Sequence, residues 1–326
     1  MVDRRRLKRS LARVVSALAT LWVIATLSFL LVRLAPGDPA RPHDPSTGPE
    51  VRQETRALYG LDQPLASRYA AWMTGLARGR LGWSFHYRRP VVEVVAGALG
   101  PTLVLASMAL SMQYLAALLI ALLVAPRQRP TRRTIDALAA VLSAVPTFWL
   151  GLVALRWPGR GWGWFPTWGA RSEGVEHFIP AILDLVGYAL LPAAVLAAAN
   201  AGVVYQLTER SLRQSLASPW ALGARARGLS RRRLLWRHGM RSAAGRAAQR
   251  LGIDLPALVS GSLVIEVLFS RPGLGRIAHQ AYLARDYPLL TAGATAAGGL
   301  VVVGSLIADG LHSVLVPKTS DGENLG

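Results

Sequence analysis

Apolar residues in this chain gather in long uncharged blocks separated by short arginine-rich or turn-rich segments. That pattern differs from the alternating strands and one-sided helices of soluble domains. The first block, Val14–Val32, has 19 residues without a charge, close to the roughly 20 that a helix needs to cross a bilayer. It follows Arg4-Arg5-Arg6-Leu7-Lys8-Arg9, outlasts the apolar core of a signal peptide, and precedes no small-residue cleavage site. An uncleaved first span with a cytoplasmic N-terminus is expected. A second block, Val94–Pro126, allows a kinked or re-entrant start at Gly100-Pro101. The third, Ala137–Leu155, contains Pro146, which marks a kink where neighbouring helices satisfy the freed carbonyl. Leu185–Thr208 and Leu251–Phe269 supply the fourth and fifth. The sixth runs from Leu289 to about Val316, with Gly293 and Ala297 at a spacing that lets membrane helices approach closely. The expected fold is all-α and polytopic, with about six transmembrane helices.

Charge orients these spans. Arg127, Arg129, Arg132 and Arg133 crowd one turn, and eleven arginines between Arg210 and Arg250 adjoin a single acid, Glu209. By the positive-inside rule both segments are cytoplasmic, as are the two termini. In 34–93, by contrast, eight arginines are nearly matched by six acids. That segment is expected to be a long external loop, partly helical and lying on the membrane surface. The resulting division is a basic segment and first helix (1–33), the external loop (34–93), a transmembrane domain (94–318) with a cytoplasmic loop at 209–250, and a polar tail (319–326).

Composition agrees. The 326 residues are 52% hydrophobic with mean hydropathy +0.32, and 17% are charged, against about 25% in soluble domains. A net charge of +19 suggests nucleic acid in a soluble protein, but here it follows the spans, and no basic-plus-aromatic recognition module accompanies it. The absence of cysteine excludes disulfides and thiolate metal sites. Trp157, Trp162, Trp164 and Trp168 fit a membrane-interface belt better than a binding platform.

Catalytic signatures are missing. There is no P-loop, so the chain has no nucleotide-triphosphate cradle of its own. The histidines at 43, 86, 177, 238, 279 and 312 form no zinc pattern, and Gly-x-Ser-x-Gly does not occur. Intramembrane carboxylates, Asp254, Glu266 and Asp309, keep an integral membrane enzyme open as an alternative. They equally suit pairing with arginines or helix ends. A secondary transporter also stays open, although no internal repeat supports it.

The most distinctive stretch is Ser218–Arg241. Ser218 and Pro219 read as a cap and first residue of a short helix, Gly228 as its stop, and Ser230 as the cap of a second. Ala224-Arg225-Ala226-Arg227-Gly228-Leu229-Ser230, Leu234-Leu235 and Arg237-His238 resemble the coupling loop, with its EAA motif, of the permease subunits of oligopeptide, dipeptide and nickel ABC importers. The resemblance covers about residues 7–318. Leu34–Pro39, Leu61–Leu65, Leu81–Ser84, Pro146–Gly151, Gly163–Pro166, Glu266–Gly275 and Ala284–Pro288 resemble further family blocks in the expected order. They point to the permease type with a long loop after its first helix.

That likeness implies half of a translocation pathway for oligopeptides or dipeptides, or for nickel or another small solute. It implies a second homologous permease, two ATPase subunits that use the ATP, an extracytoplasmic solute-binding protein and a lipid bilayer as partners. It implies no cofactor or metal in this chain, no catalytic residue and no nucleic acid. Trp220, Ala224, Arg225, Arg227, Gly228, Leu229, Ser230, Leu234, Leu235 and His238 are the implied ATPase-coupling residues. Pro146, Glu266 and Asp309 are candidates for the pathway. Departures from the family pattern are Arg246, Arg250, Asp254 and Pro256 around the start of the fifth span, Arg213 before the loop, and Arg156, Pro158 and Arg160 at the end of the third. The third helix is therefore expected to end early or to let its arginines snorkel outward.

Overall fold

The computed structural model describes residues 4–34, 62–125, 129–159 and 178–315, with isolated positions at 53, 56, 127, 166 and 169. These residues are almost entirely helical. Five helices are long and apolar enough to cross a membrane, and a sixth span results when one sharply bent pair is counted as one. The chain divides into two packed units, one of residues up to 103 with 270–302, the other of 104–269 with 303 onward.

In the first unit, α1 (Arg4–Leu34) extends beyond the apolar block at both ends. Leu11, Val14, Leu18, Trp22 and Leu31 are exposed along it, as lipid-facing side chains are. Helix α2 (Leu65–Ala77) lies within the 34–93 segment. Tyr69 ties it to α1 through a 2.8 Å hydrogen bond to Thr26 and edge-to-face packing on Phe29. Most of 35–61 lies outside the described residues, as do Trp162, Trp164 and Trp168. A short antiparallel hairpin follows, β1 (Trp83–Ser84) with β2 (Arg89–Pro90), and runs straight into α3 (Val91–Val124). The kinked or re-entrant start that the sequence allows at Gly100-Pro101 does not interrupt the helix: Pro101 sits inside one continuous helix of 34 residues. Losing one N–H costs a long, well-packed helix a single ladder bond, which packing on both sides offsets.

Helices α10 (Leu274–Leu283) and α11 (Tyr287–Leu315) complete the unit. The expected close approach at Gly293 is also corrected. A side chain there would meet nothing within 4 Å, whereas one at Gly298 would lie 2.6 Å from Ile24 of α1. The small-residue contact of the last span is thus one face further round.

The second unit is built on α6 (Phe178–Leu216), which packs against α4 (Arg129–Ala144), α5 (Thr147–Ala154) and α9 (Met240–Leu268). The kink expected at Pro146 is a full break, with α4 and α5 meeting at 97° and Pro146 forming the N-terminal boundary of α5. Proline has no N–H for the preceding turn and excludes Val145 from the helical region, so the chain turns there. The third span does not end early at Arg156. It continues through a π-helical turn, Leu155–Gly159, that absorbs Pro158, with Arg156 and Trp157 exposed.

The fourth helix likewise runs past its apolar block to Leu216, carrying Glu209 inward. Glu209 lies 3.5 Å from Arg213 and 4.0 Å from Arg132, while Tyr205 donates to Asp136 at 2.9 Å. The single acid beside the basic loop is therefore a brace between α4 and α6.

Candidate coupling site

The basic segment occupies one end of the second unit. Ser218 takes an extended conformation (φ −70°, ψ 151°) and Pro219 begins helix α7 (Pro219–Ala226). Ser218 holds the capping position but not the capping bond. Its hydroxyl donates backward to the Ser215 carbonyl at 2.6 Å, tightening the exit from α6. At the far end Gly228 has φ +84°. Its N–H bonds to the Arg225 carbonyl (2.8 Å), and the Leu229 N–H bonds to that of Ala224 (3.1 Å). Those two bonds are the 5→2 and 6→1 pair of a Schellman stop, which requires a left-handed residue at Gly228. A side chain there would meet nothing within 4 Å, so the demand for glycine is conformational and not steric.

Beyond the turn, Ser230 accepts a long bond from the Arg233 N–H (3.4 Å), and α8 (Arg231–Leu234) begins. Sequence spacing suggests two separate small helices, but the second never ends. Leu234, Gly239 and Met240 all have right-handed helical angles, and a π-helical turn, Leu235–Gly239, joins α8 to α9. Helical backbone therefore runs from Arg231 to Leu268. Of the 209–250 segment, 209–216 belongs to α6 and 240–250 to α9. The freestanding part is α7 and the Gly228 turn.

The segment has two faces. Ala221, Ala224, Leu234 and Leu235 are buried in an apolar cluster with Leu212 and Leu216 of α6 and Ala117, Ala121 and Val124 of α3, and Leu229 packs on its edge. Trp220, Leu222 and Trp236 are about half exposed on the other face, beside exposed Arg225, Arg227 and Arg233. Among the described residues those three arginines form no ion pair. Leu222 and Trp236 are missed by sequence reasoning; an aromatic inside an otherwise basic run is the signal for Trp236, and Leu222 has none. The side chain of His238 lies outside the described residues.

The pathway candidates occupy unlike positions. Pro146 is exposed at the 97° break. Glu266 is fully buried on α9, and the side chain of Asp309 lies outside the described residues. Asp254, an intramembrane carboxylate and a departure from the family pattern in the sequence, is 1% exposed and held between helices. It accepts from Tyr114 (2.8 Å) and Gln113 (3.1 Å) of α3 and pairs with Arg250 Nε at 3.0 Å. This is a packed brace, the structural role the sequence leaves open for such carboxylates.

Long apolar helices and a basic, aromatic-bearing segment backed by an apolar cluster define a membrane transport subunit of the ABC importer permease class. The chain belongs to the family described as "Binding-protein-dependent transport system inner membrane component", which matches residues 113–321. Residues 7–106 match its companion, "Binding-prot-dependent transport system membrane comp, N-term". Relatives include the oligopeptide transport system permease protein AppB of Bacillus subtilis (strain 168), 31% identical over 94% of this chain and 97% of its own. The glutathione transport system permease protein GsiC of Salmonella choleraesuis (strain SC-B67) is 33% identical with the same coverage. The chain is thus a multi-pass cytoplasmic-membrane transport subunit and not an enzyme, and it works with ATPase and solute-binding proteins.

Proposed function

We propose that this subunit forms half of a peptide-import pathway, paired with a second homologous permease and driven by two ATPase subunits that consume the ATP. Peptides are favoured because AppB is named for oligopeptides and GsiC for a tripeptide, glutathione. Nickel is disfavoured: among the described residues no group of three His, Cys, Asp or Glu side chains is placed to hold a metal ion. In this reading the 34–93 segment is external and 319–326 a cytoplasmic tail.

The handle in this reading is Trp220–His238, docked on an ATPase through Trp220, Leu222, Arg225 and Arg227. The observation that carries it is the unbroken helical backbone from Arg231 to Leu268. A short helix alone can rock without consequence. One joined through a single glycine turn to the fifth span passes its displacement along a rigid rod, which is what a lever between inward-open and outward-open states requires.

Gly228→Val tests it in the assembled, reconstituted transporter. A β-branched residue in the left-handed region costs about 2 kcal/mol, enough to re-aim α7. Membrane insertion and basal ATPase should persist while stimulation by loaded binding protein and peptide uptake fall at least tenfold. Full stimulation in the variant refutes the lever.

A further inference from the structure

A cavity of about 430 Å³ lies wholly within the first unit, on the side that the arginine distribution makes external. Its walls come from three elements brought together by bonds spanning almost two hundred residues. The hairpin is fixed to α11 by Asp286, which accepts from the Ser84 hydroxyl (2.5 Å) and the Phe85 (2.9 Å) and His86 (3.2 Å) N–H groups. Tyr87 donates to the Gln280 side-chain carbonyl, joining the hairpin to α10. Burial raises the Tyr87 pKa, so the phenol stays a donor. Helix α10 is seated on α3 by the Leu274 N–H donating to Thr102 Oγ1 at 2.9 Å. The cavity is therefore a braced feature of the fold.

Its lining has a definite chemistry. Val94, Ala98 and Ile277 provide an apolar floor, and Arg89, Arg276 and Glu93 stand around it. Arg276 gives one N–H to the Ser270 carbonyl. Neither arginine is ion-paired with Glu93 or with any other acid among the described residues. Two guanidiniums and one carboxylate, unpaired over an apolar floor of small-ligand size, match a zwitterion carrying an apolar side chain. A simple anion would be repelled by Glu93, and a simple cation by the two arginines.

The geometry points to this cavity as an outer-face receiving site for short peptides with free termini, Arg89 and Arg276 taking the carboxylate and Glu93 the ammonium. The inference rests on the peptide reading above and extends it from the pathway to a named vestibule. Such a site holds a peptide released by the binding protein before it enters the pathway. The apolar floor accepts a side chain without demanding a particular one, which suits a broad substrate range.

The test uses the full chain in lipid nanodiscs with Ala-Phe, its C-terminal amide and its N-acetyl derivative, followed by calorimetry. Each charged hydrogen bond lost should weaken binding about tenfold. The free dipeptide should bind at least tenfold more tightly than either blocked form. Arg89→Gln, at an exposed side chain with no ion pair, should abolish the preference for free acid over amide. Glu93→Gln should abolish the preference for free amine over N-acetyl. Equal binding of all three probes, or no binding at about 10 mM dipeptide, overturns the site. A variant that loses affinity for the binding protein while dipeptide binding is absent assigns the cavity to docking instead, and also overturns it. Peptide uptake by the assembled transporter separates the two readings. Uptake without nanodisc binding sinks only the vestibule, whereas failure of uptake with a peptide-loaded binding protein sinks the peptide assignment itself.

Discussion

Two aspartates, Asp254 and Asp286, are both essentially out of contact with solvent, at 1% and 0% exposure, yet they are neutralised in opposite ways. Among the described residues Asp286 forms no ion pair. One oxygen collects the Ser84 hydroxyl and two hairpin N–H groups, and the other accepts from the Leu289 N–H at 3.1 Å, capping the last span at its positive end. Asp254 meets only side chains: a phenol and an amide from α3 and, one turn back on its own helix, Arg250. Backbone dipoles cannot be mutated away or swung aside, so Asp286 is built into the chain trace and holds the hairpin fast. The Asp254 brace depends on three replaceable groups. A transporter needs both kinds of fastening: rigid where a rim must hold its shape, and made of side chains where helices move past one another.

The largest effect expected is at the backbone-held site. Asp286→Ala orphans four donors at once and removes a helix cap, a loss of about 4 kcal/mol. Thermal unfolding of the purified subunit should show it, with the hairpin becoming protease-sensitive. No second substitution can compensate, because no cation is left behind. Asp254→Ala should cost somewhat less, about 3 kcal/mol, since Arg250 is 24% exposed and can turn toward water. Here a second change should rescue. Replacing the pair together, Asp254→Asn with Arg250→Gln, removes both charges and should return most of the lost stability. If the double variant is no more stable than Asp254→Ala, the ion pair is not what the brace depends on and the contrast collapses.

How much of this was legible in the sequence follows the same line. The spans were visible because membrane helices announce themselves by uncharged length. Gly228 was visible because a Schellman stop is a local event, decided within six residues. Continuity from Arg231 to Leu268 was hidden because that stretch opens on arginines and lacks an apolar stripe; arginine is nonetheless a good helix former, and the buried Leu234 and Leu235 anchor it. Pro146 signalled a bend but not its 97° size, which depends on how α4 and α5 each pack on α6. The Asp286 clasp was wholly hidden. Leu81–Ser84 and Ala284–Pro288 could be recognised as family blocks, but nothing in their spacing says that they touch. Gly293 misled for a similar reason, because a small-residue spacing indicates that close approach is possible without saying which face meets a neighbour.

The smallest expected effect isolates a single hydroxyl, which lies 2.8 Å from Asp254 and 3.2 Å from the Ala247 carbonyl, both on α9. Tyr114→Phe removes one hydroxyl that donates to Asp254 and leaves Arg250 and Gln113 in place, so the carboxylate stays paired. A loss of about 1 kcal/mol is expected for one hydrogen bond with a charged acceptor still otherwise satisfied. The readout that matters is coupling between α3 and α9, since Tyr114 and Gln113 are the side chains that carry the brace across to α3. A cysteine pair spanning the two helices on the membrane side of Asp254 should crosslink more slowly in the variant. Substrate-stimulated ATPase should change by less than twofold, because the proposed handle, Trp220–His238, is untouched. An unchanged crosslinking rate would mean that apolar packing alone holds α9 against α3, making Asp254 a tolerated charge whose partner is Arg250 and nothing more.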